Sequence, residues 1–129
     1  MKRCLLLLAA LMLACPLGAV RAGEGADDAG IPRDCSRYQV HPRRETCLNA
    51  RKYGMSINAA ALVQGLAERT HAVEFCRSTP DPAEQRHRDS LLAGSPNLRA
   101  LYEAHLAMLR QRCVYDPDGW CQSMGFTRR

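Results

Sequence analysis

The sequence contains few aromatic residues and no cluster of basic ones. Phe, Trp and Tyr together make up 5% of the 129 residues, and no run of five or more Lys and Arg residues occurs. Proteins that bind single-stranded nucleic acid use aromatic rings to stack bases and basic segments to attract phosphates. The composition therefore argues against nucleic acid as the partner.

The sequence also lacks the short motifs that carry common chemistry. It has no Cys-x-x-Cys pair for redox chemistry or haem attachment, and no Gly-x-Ser-x-Gly turn for a nucleophile. The His-Arg-Asp at 87–89 stands without the glycine loop and magnesium motif that a kinase needs. We therefore expect a protein that binds rather than catalyses, and that uses no cofactor.

The four histidines do not form a metal-binding pattern. His71 and Glu74 lie one helical turn apart, but no third ligand follows at a matching spacing. Two such residues usually belong to a solvated helix face, and we expect the same of the other histidines, which are His41, His87 and His105.

The only long apolar run lies at the N-terminus. Lys2 and Arg3 precede an uncharged apolar stretch over residues 4–15, which is shorter than the roughly 20 residues of a membrane span. Val20-Arg21-Ala22 fits cleavage by a signal peptidase, so residues 1–22 are predicted to be a secretory signal peptide.

The alternative for this segment is a lipoprotein anchored at Cys15. Met12-Leu13-Ala14-Cys15 is similar to a lipid-attachment box. Both interpretations place the protein outside the cytoplasm, and the first predicts a soluble periplasmic or secreted protein.

Removal of residues 1–22 leaves 107 residues, enough for one small domain. Three basic residues lie in the removed segment, so the net charge falls from +5 to +2. Residues 23–30 are small and acidic, which predicts a flexible lead-in. Residues 31–129 are expected to fold.

Capping residues and apolar spacing predict an all-α domain, a small disulfide-stabilised bundle of about four helices. The predicted helices span residues 42–53, 57–77, 82–93 and 96 to about 113. Asp81 and Glu84 form a capping-box pattern at the start of the third. The third and fourth helices have so short a link that they must run antiparallel. The tail from Tyr115 to Gly119 is predicted to be a turn.

The second predicted helix is the most apolar segment of the mature chain. Leu62, Leu66, Val73 and Cys76 recur at helical spacing beside Ala59 and Val63, which predicts the helix. Gly65 lies among them at a cost of about 1 kcal/mol relative to Ala. We expect Gly65 to permit close packing against a neighbouring helix.

Five cysteines remain after signal removal, namely Cys35, Cys47, Cys76, Cys113 and Cys121. In an oxidising compartment they are expected to form disulfides, and because five is odd, at least one stays free or pairs with another molecule. The antiparallel hairpin favours a Cys76–Cys113 bridge, with Cys113–Cys121 as the second choice. Cys35 and Cys47 could pair with each other, or either could pair with Cys121.

Arginines on the predicted helices are the candidate contacts for a protein partner. Those selected are Arg86, Arg88, Arg110 and Arg112. Arg is the charged side chain most suited to interfaces, so an acidic cleft on a partner would use some of them as anchors. The alternative is an ordinary solubilising surface. The oligomeric state stays open, with a homodimer among the options.

One stretch of the chain resembles a known family. The region from residue 75 to residue 113 looks like the Tai/Rap-type immunity proteins. The resemblance is carried by Phe75-Cys76, by the segment Leu91-Leu92-Ala93-Gly94-Ser95-Pro96-Asn97-Leu98-Arg99 and by an Ala/Leu-rich helix ending in Cys113. This resemblance covers about a third of the chain. It implies a small helical periplasmic protein that neutralises a peptidoglycan amidase delivered by type VI secretion.

A second likeness lies nearer the N-terminus. Asp34-Cys35 and Cys47, with Glu45 between them, are similar to the opening of LprI-type lysozyme inhibitors. Both likenesses imply an exported inhibitor of a cell-wall hydrolase, which is the function we expect. The alternative is a structural or assembly component of an envelope secretion or conjugation system.

Overall fold

The computed structural model describes residues 30–126 of the chain. The predicted signal peptide, the lipid-attachment site at Cys15 and nearly all of the lead-in lie outside the described residues. Regular secondary structure between residues 30 and 126 is entirely helical, which confirms the all-α prediction. The helices are α1 (Arg43–Tyr53), α2 (Ile57–Phe75), α3 (Pro82–Ala93), α4 (Pro96–Arg110) and α5 (Pro117–Ser123).

The described helices include none with the length and apolar character needed to cross a bilayer.

Local capping chemistry sets most of these boundaries. The Ser56 hydroxyl accepts a hydrogen bond from the Ala59 N–H at 3.1 Å, which satisfies a free donor at the start of α2. α1 ends at Gly54, whose φ of 70° is the left-handed conformation that glycine adopts at low cost. Asp81 caps α3 as predicted. Glu84 does not complete the capping box, because its carboxylate binds Arg69 instead.

The core lies between α1, α2 and α4. Ile57, Ala60 and Val63 of α2 pack with Leu101 of α4 at one end, and Ala67 packs with α4 leucines at the other. Side-chain contacts join Thr70 to Tyr102 and Glu74 to Arg110, so residue numbers rise together and the two helices run parallel.

The buried face of α2 combines small and branched side chains. Small residues such as Ala60, Ala67 and Ala72 are fully buried, and they allow α2 to pack closely against its neighbours. Of the residues whose spacing predicted this helix, Val63 and Cys76 are buried, whereas the Leu62 side chain is 51% exposed. The prediction for Gly65 is wrong, since a Cβ at this exposed position would meet nothing within 4 Å.

Helix α3 lies outside this core. It contributes a single buried side chain, Leu92, and Leu91 beside it is half-buried. The Arg69–Glu84 ion pair joins α2 to α3 at 2.7 Å between Nε and Oε1. Arg88 adds a second link by donating a hydrogen bond to the Thr70 hydroxyl. α3 is therefore held mainly by charged and polar tethers.

The disulfide pattern corrects the predicted pairing. Cys76 bonds to Cys121, and Cys35 bonds to Cys47, while Cys113 is exposed and free. The hairpin argument placed Cys113 at the end of the fourth helix, level with Cys76. Helix α4 instead ends at Arg110, so Cys113 falls in the following loop. Both pairings considered for Cys113 are therefore wrong, and the Cys35–Cys47 alternative is the one formed.

A fifth helix explains why Cys121 reaches Cys76. The tail was predicted to be a turn, but Pro117 occupies the first helical turn and the Asp116 carboxylate accepts the Gly119 N–H at 3.1 Å. Trp120 then packs edge-on against Phe75 at the end of α2, with ring centroids 5.3 Å apart. This packing places the next residue, Cys121, beside Cys76.

Candidate functional site

A cleft of about 390 Å³ lies between α2, α3 and α4, and we refer to it as the three-helix cleft. It exists because α3 lies outside the core and is joined to α2 by the Arg69–Glu84 and Arg88–Thr70 contacts. Apolar side chains in its lining include Leu66, Val73 and Leu106. Charged side chains from all three helices complete the lining. An apolar lining with a few polar groups is the usual make-up of a binding site.

Two of the predicted arginines line this cleft. The Arg110 guanidinium binds the Glu74 carboxylate through two hydrogen bonds of 2.7 and 3.1 Å, which fixes its orientation. These hydrogen bonds lower the pKa of Glu74 and raise the pKa of Arg110 from their usual values. The Arg110–Glu74 pair is exposed, so it contributes little to the stability of the fold. Its main effect is to orient the two side chains at the cleft.

Arg88 is the more enclosed of the two arginines. Its side chain is 22% exposed and its guanidinium carbon lies 6.0 Å from the centre of the Tyr102 ring. It donates to the Thr70 hydroxyl at 3.1 Å, and Thr70 and Tyr102 share a further hydrogen bond of 2.8 Å. This network holds a cation in a fixed position beside an aromatic face.

The other two predicted arginines lie elsewhere. Arg86 is exposed on α3 and does not line the cleft, and Arg112 follows α4 and lines two different grooves. The structure therefore places Arg88 and Arg110 in one cleft, and Arg86 and Arg112 lie outside it. Acidic residues also line the cleft, so its charge is mixed and it is not the basic patch that an acidic partner alone would favour.

A second opening of about 700 Å³, the polar groove, lies between the start of α1, α2 and α4. Gln64 and His105 line it, and both side chains are buried. The Gln64 Oε1 and His105 Nε2 atoms have no hydrogen-bond partner among the described residues. The nearest carboxylate to His105 Nε2, Glu68 Oε1, lies 3.7 Å away, which is too long for a hydrogen bond.

A third opening of about 360 Å³ contains the free cysteine, and we call it the thiol groove. Its lining includes Cys113, Tyr115, Trp120 and His71. The His71 ring contacts both the Phe75 ring and the Trp120 indole, and its Nε2 is buried without a hydrogen-bond partner among residues 30–126. Burial lowers the pKa of His71, because a charged imidazole loses its hydration there.

The prediction that all four histidines are solvated is thus half wrong. His41 and His87 are exposed, whereas His71 and His105 are buried. Both buried histidines have apolar residues four positions away on either side, Ala67 and Phe75 around His71 and Leu101 and Leu109 around His105, so helical spacing alone could have placed them inside. Between residues 30 and 126, no three His, Cys, Asp or Glu side chains lie close enough to hold a metal ion.

Comparison with known proteins gives no relative for this chain. No protein-family model, no curated protein and no solved structure matches it. Functional inference therefore depends on the residues of the chain itself.

Proposed function

We propose that this chain is an exported binding protein that neutralises a peptidoglycan-degrading enzyme. It acts by holding a protruding segment of that enzyme in the three-helix cleft, and it has no turnover of its own. The observation that carries the proposal is the cleft, where an apolar floor is surrounded by charged side chains in fixed orientations.

The chemistry of the cleft suits a protein segment. Leu66 and Val73 on α2 would contact an apolar side chain, which gives the water-excluding centre typical of an interface. Arg88 offers donors next to the Tyr102 ring, and Arg is among the residues that dominate interface energies. A carboxylate beside an apolar residue on the partner would therefore match the cleft.

The compartment and the target rest on the sequence. The two disulfides are compatible with an oxidising compartment, as expected behind a signal peptide. The resemblance of the segment from Phe75 to Cys113 to Tai/Rap-type immunity proteins supports a cell-wall hydrolase as the target. The likeness of Asp34-Cys35 and Cys47 to lysozyme inhibitors supports the same class of target.

The experiment uses two leucines of α2. Leu66 lines the cleft, whereas Leu62, one turn earlier, is exposed and does not line it. Mature protein, Leu66→Glu and Leu62→Glu are each used as bait in periplasmic extracts, and each eluate is tested for clearing of a peptidoglycan suspension. We expect the mature protein and Leu62→Glu to retain a hydrolase and suppress its activity, and Leu66→Glu to do neither.

Circular dichroism of all three proteins guards against misfolding of Leu66→Glu. Arg88→Gln serves as a second cleft variant that removes the cation without placing a charge on the apolar floor. Recovery of secretion-channel or pilus subunits without any hydrolase would overturn the inhibitor proposal. Equal retention by both leucine variants would overturn the assignment to this cleft.

One observation favours the alternative of an assembly component in an envelope secretion or conjugation system. Cys113 is an exposed free thiol in a chain whose other described cysteines are paired. Covalent attachment to a neighbouring subunit would suit a component of a larger apparatus. The same pull-down separates the two proposals by the class of protein recovered.

A further inference from the structure

We propose that the thiol groove is the interface of a two-fold homodimer, in which Cys113 bonds to Cys113 of a second copy and Tyr115 of each copy enters the groove of the other. This inference is independent of the proposed function. It rests on the exposed thiol, a buried unpartnered histidine, an exposed tyrosine and the order of charges around Cys113.

The first observation is the thiol itself. Cys113 is exposed at the edge of a groove, and the four other described cysteines form two buried disulfides. An accessible thiol in an environment that oxidises its neighbours is the one available for an intermolecular bond.

A second, independent observation points to an occupant of the groove. His71 lines the groove, is 6% exposed, and carries an Nε2 atom without a hydrogen-bond partner among the described residues. Buried polar atoms are nearly always paired in native proteins, so this nitrogen calls for a group that the single copy does not supply. A phenol O–H is a donor for an unprotonated imidazole nitrogen.

Tyr115 meets this requirement in a second copy. Its side chain is 99% exposed, which is unusual for an aromatic residue and typical of one that is buried on binding. The Cα atoms of bonded cysteines lie roughly 4.4–6.8 Å apart, and two further residues extend at most about 7 Å. A Cys113–Cys113 bond therefore holds the Cα of the second Tyr115 within roughly 14 Å of the Cys113 that lines the groove.

The charges flanking Cys113 favour a second copy as the occupant. The exposed Arg112 precedes the cysteine, and the exposed Asp116 and Asp118 follow it. In two copies related by a two-fold axis through Cys113, the chain segments around this cysteine run in opposite directions. The basic residue before Cys113 in one copy therefore faces the acidic residues after Cys113 in the other. The surface is thus complementary to itself in charge.

Formation of the bond needs an oxidant, which we take to be a disulfide. The Cys113 thiolate of one copy attacks a sulfur of that disulfide, forms a mixed disulfide and releases one thiol. The Cys113 thiolate of the second copy then displaces the other thiol. Two protons and two electrons leave the Cys113 pair, and the oxidant is reduced to two thiols.

The test uses mature protein recovered with both internal disulfides intact and then treated with oxidised glutathione. We expect a dimer on non-reducing gels and by light scattering, and a Cys113–Cys113 peptide by mass spectrometry. Dithiothreitol should reduce the Cys113–Cys113 bond and convert the dimer to monomer on the gel. Cys113→Ser should give no covalent dimer. Recovery of Cys113 only as a free thiol, as a glutathione adduct, or bonded to another cysteine of the same chain would overturn the proposal.

Variants separate a formed interface from random oxidation. Tyr115→Ala should slow dimer formation, whereas Ile31→Ala, an exposed apolar change in an opening that shares no lining residue with the thiol groove, should not. Arg112→Asp should slow it roughly tenfold at low salt and make added salt accelerate the reaction, because like charges then face each other. Arg99→Asp on α4 carries the same charge change as a control. Equal rates for all variants would show random collision and overturn the interface.

Discussion

The imidazole of His71 lies 5.7 Å from the indole of Trp120, measured between ring centroids, and so joins α2 to α5. This contact ties the last helix to the rest of the fold beside the Cys76–Cys121 bond. The same histidine is buried and has a lowered pKa, mainly because burial disfavours its charged form.

Stability should therefore fall as the pH drops below the usual histidine value of 6.5. The unfolded chain binds a proton at His71 that the folded chain resists, so acid favours unfolding until the folded-state pKa is also passed. Urea unfolding at pH 7 and pH 5 measures this difference. His71→Phe keeps an aromatic ring and should reduce it, whereas His87→Gln at an exposed position should not. An unchanged difference in His71→Phe would contradict the assignment.

Glu74 should affect the pH dependence of stability in a lower pH range than His71 does. Its carboxylate has a pKa below its ordinary value of 4.5 because Arg110 donates two hydrogen bonds to it. This contribution is present above pH 4.5 and is lost as the pH falls through the lowered pKa. Glu74→Gln should weaken the loss below pH 4.5, as followed by thermal unfolding. It should not reduce the pH 7 to pH 5 difference, because the Glu74 charge raises the pKa of His71 and its removal lowers that pKa further.

The two disulfides should differ in their contribution to stability. The chain-entropy relation gives about 4 kcal/mol for the 45-residue separation of Cys76 and Cys121, and about 3 kcal/mol for the 12-residue separation of Cys35 and Cys47. Each pair is replaced by alanine in a Cys113→Ser background, which prevents exchange with the free thiol. Denaturant unfolding should show the larger loss for the Cys76/Cys121 variant, and the reverse order would contradict the entropy argument.

Two glycines should respond to alanine in opposite directions. Gly65 lies within α2 in open space, so Gly65→Ala should stabilise the protein by about 0.5–1 kcal/mol through reduced backbone freedom. Gly54 has a φ of 70°, so Gly54→Ala should destabilise it by about 1 kcal/mol. Thermal unfolding of both variants checks the pair. A loss of stability in Gly65→Ala would mean that this position contacts something other than solvent.

Local features were predictable from the sequence because their causes are local. Ser56, Asp81 and Gly54 act on backbone groups within a few residues, and the helix boundaries that depend on them were predicted correctly. The end of α4 has no such signal, and the prediction continued it past Arg110 to Cys113. That extension of three residues was enough to assign the wrong disulfide.

Tertiary features depended on which helices pack together. The apolar spacing predicted α2 but not its buried face, where three alanines lie beside Ile57, Val63, Gln64 and His71 because α4 packs against this side. The three-helix cleft arises from the position of α3 outside the core. No sequence pattern showed that Arg88 and Arg110 would meet there while Arg86 and Arg112 would not.

The outer position of α3 makes it the helix expected to open first. Leu92 is its one buried side chain, and polar tethers such as Arg69–Glu84 are exposed and contribute little. Leu92→Ala removes the apolar anchor, and core leucine truncations cost about 2–5 kcal/mol. We expect amide hydrogen exchange to accelerate mainly over residues 82–93, because this helix can detach while α2 and α4 stay packed.

Leu101→Ala on α4 provides the contrast. Leu101 is buried between α4 and the α1–α2 core, so its truncation should accelerate exchange in all three of those helices by lowering global stability. If Leu92→Ala accelerated exchange equally across the described helices, α3 would be part of one cooperative unit with the core. The three-helix cleft would then be a rigid site. Selective opening of α3 would instead allow the cleft to widen when a partner segment enters it.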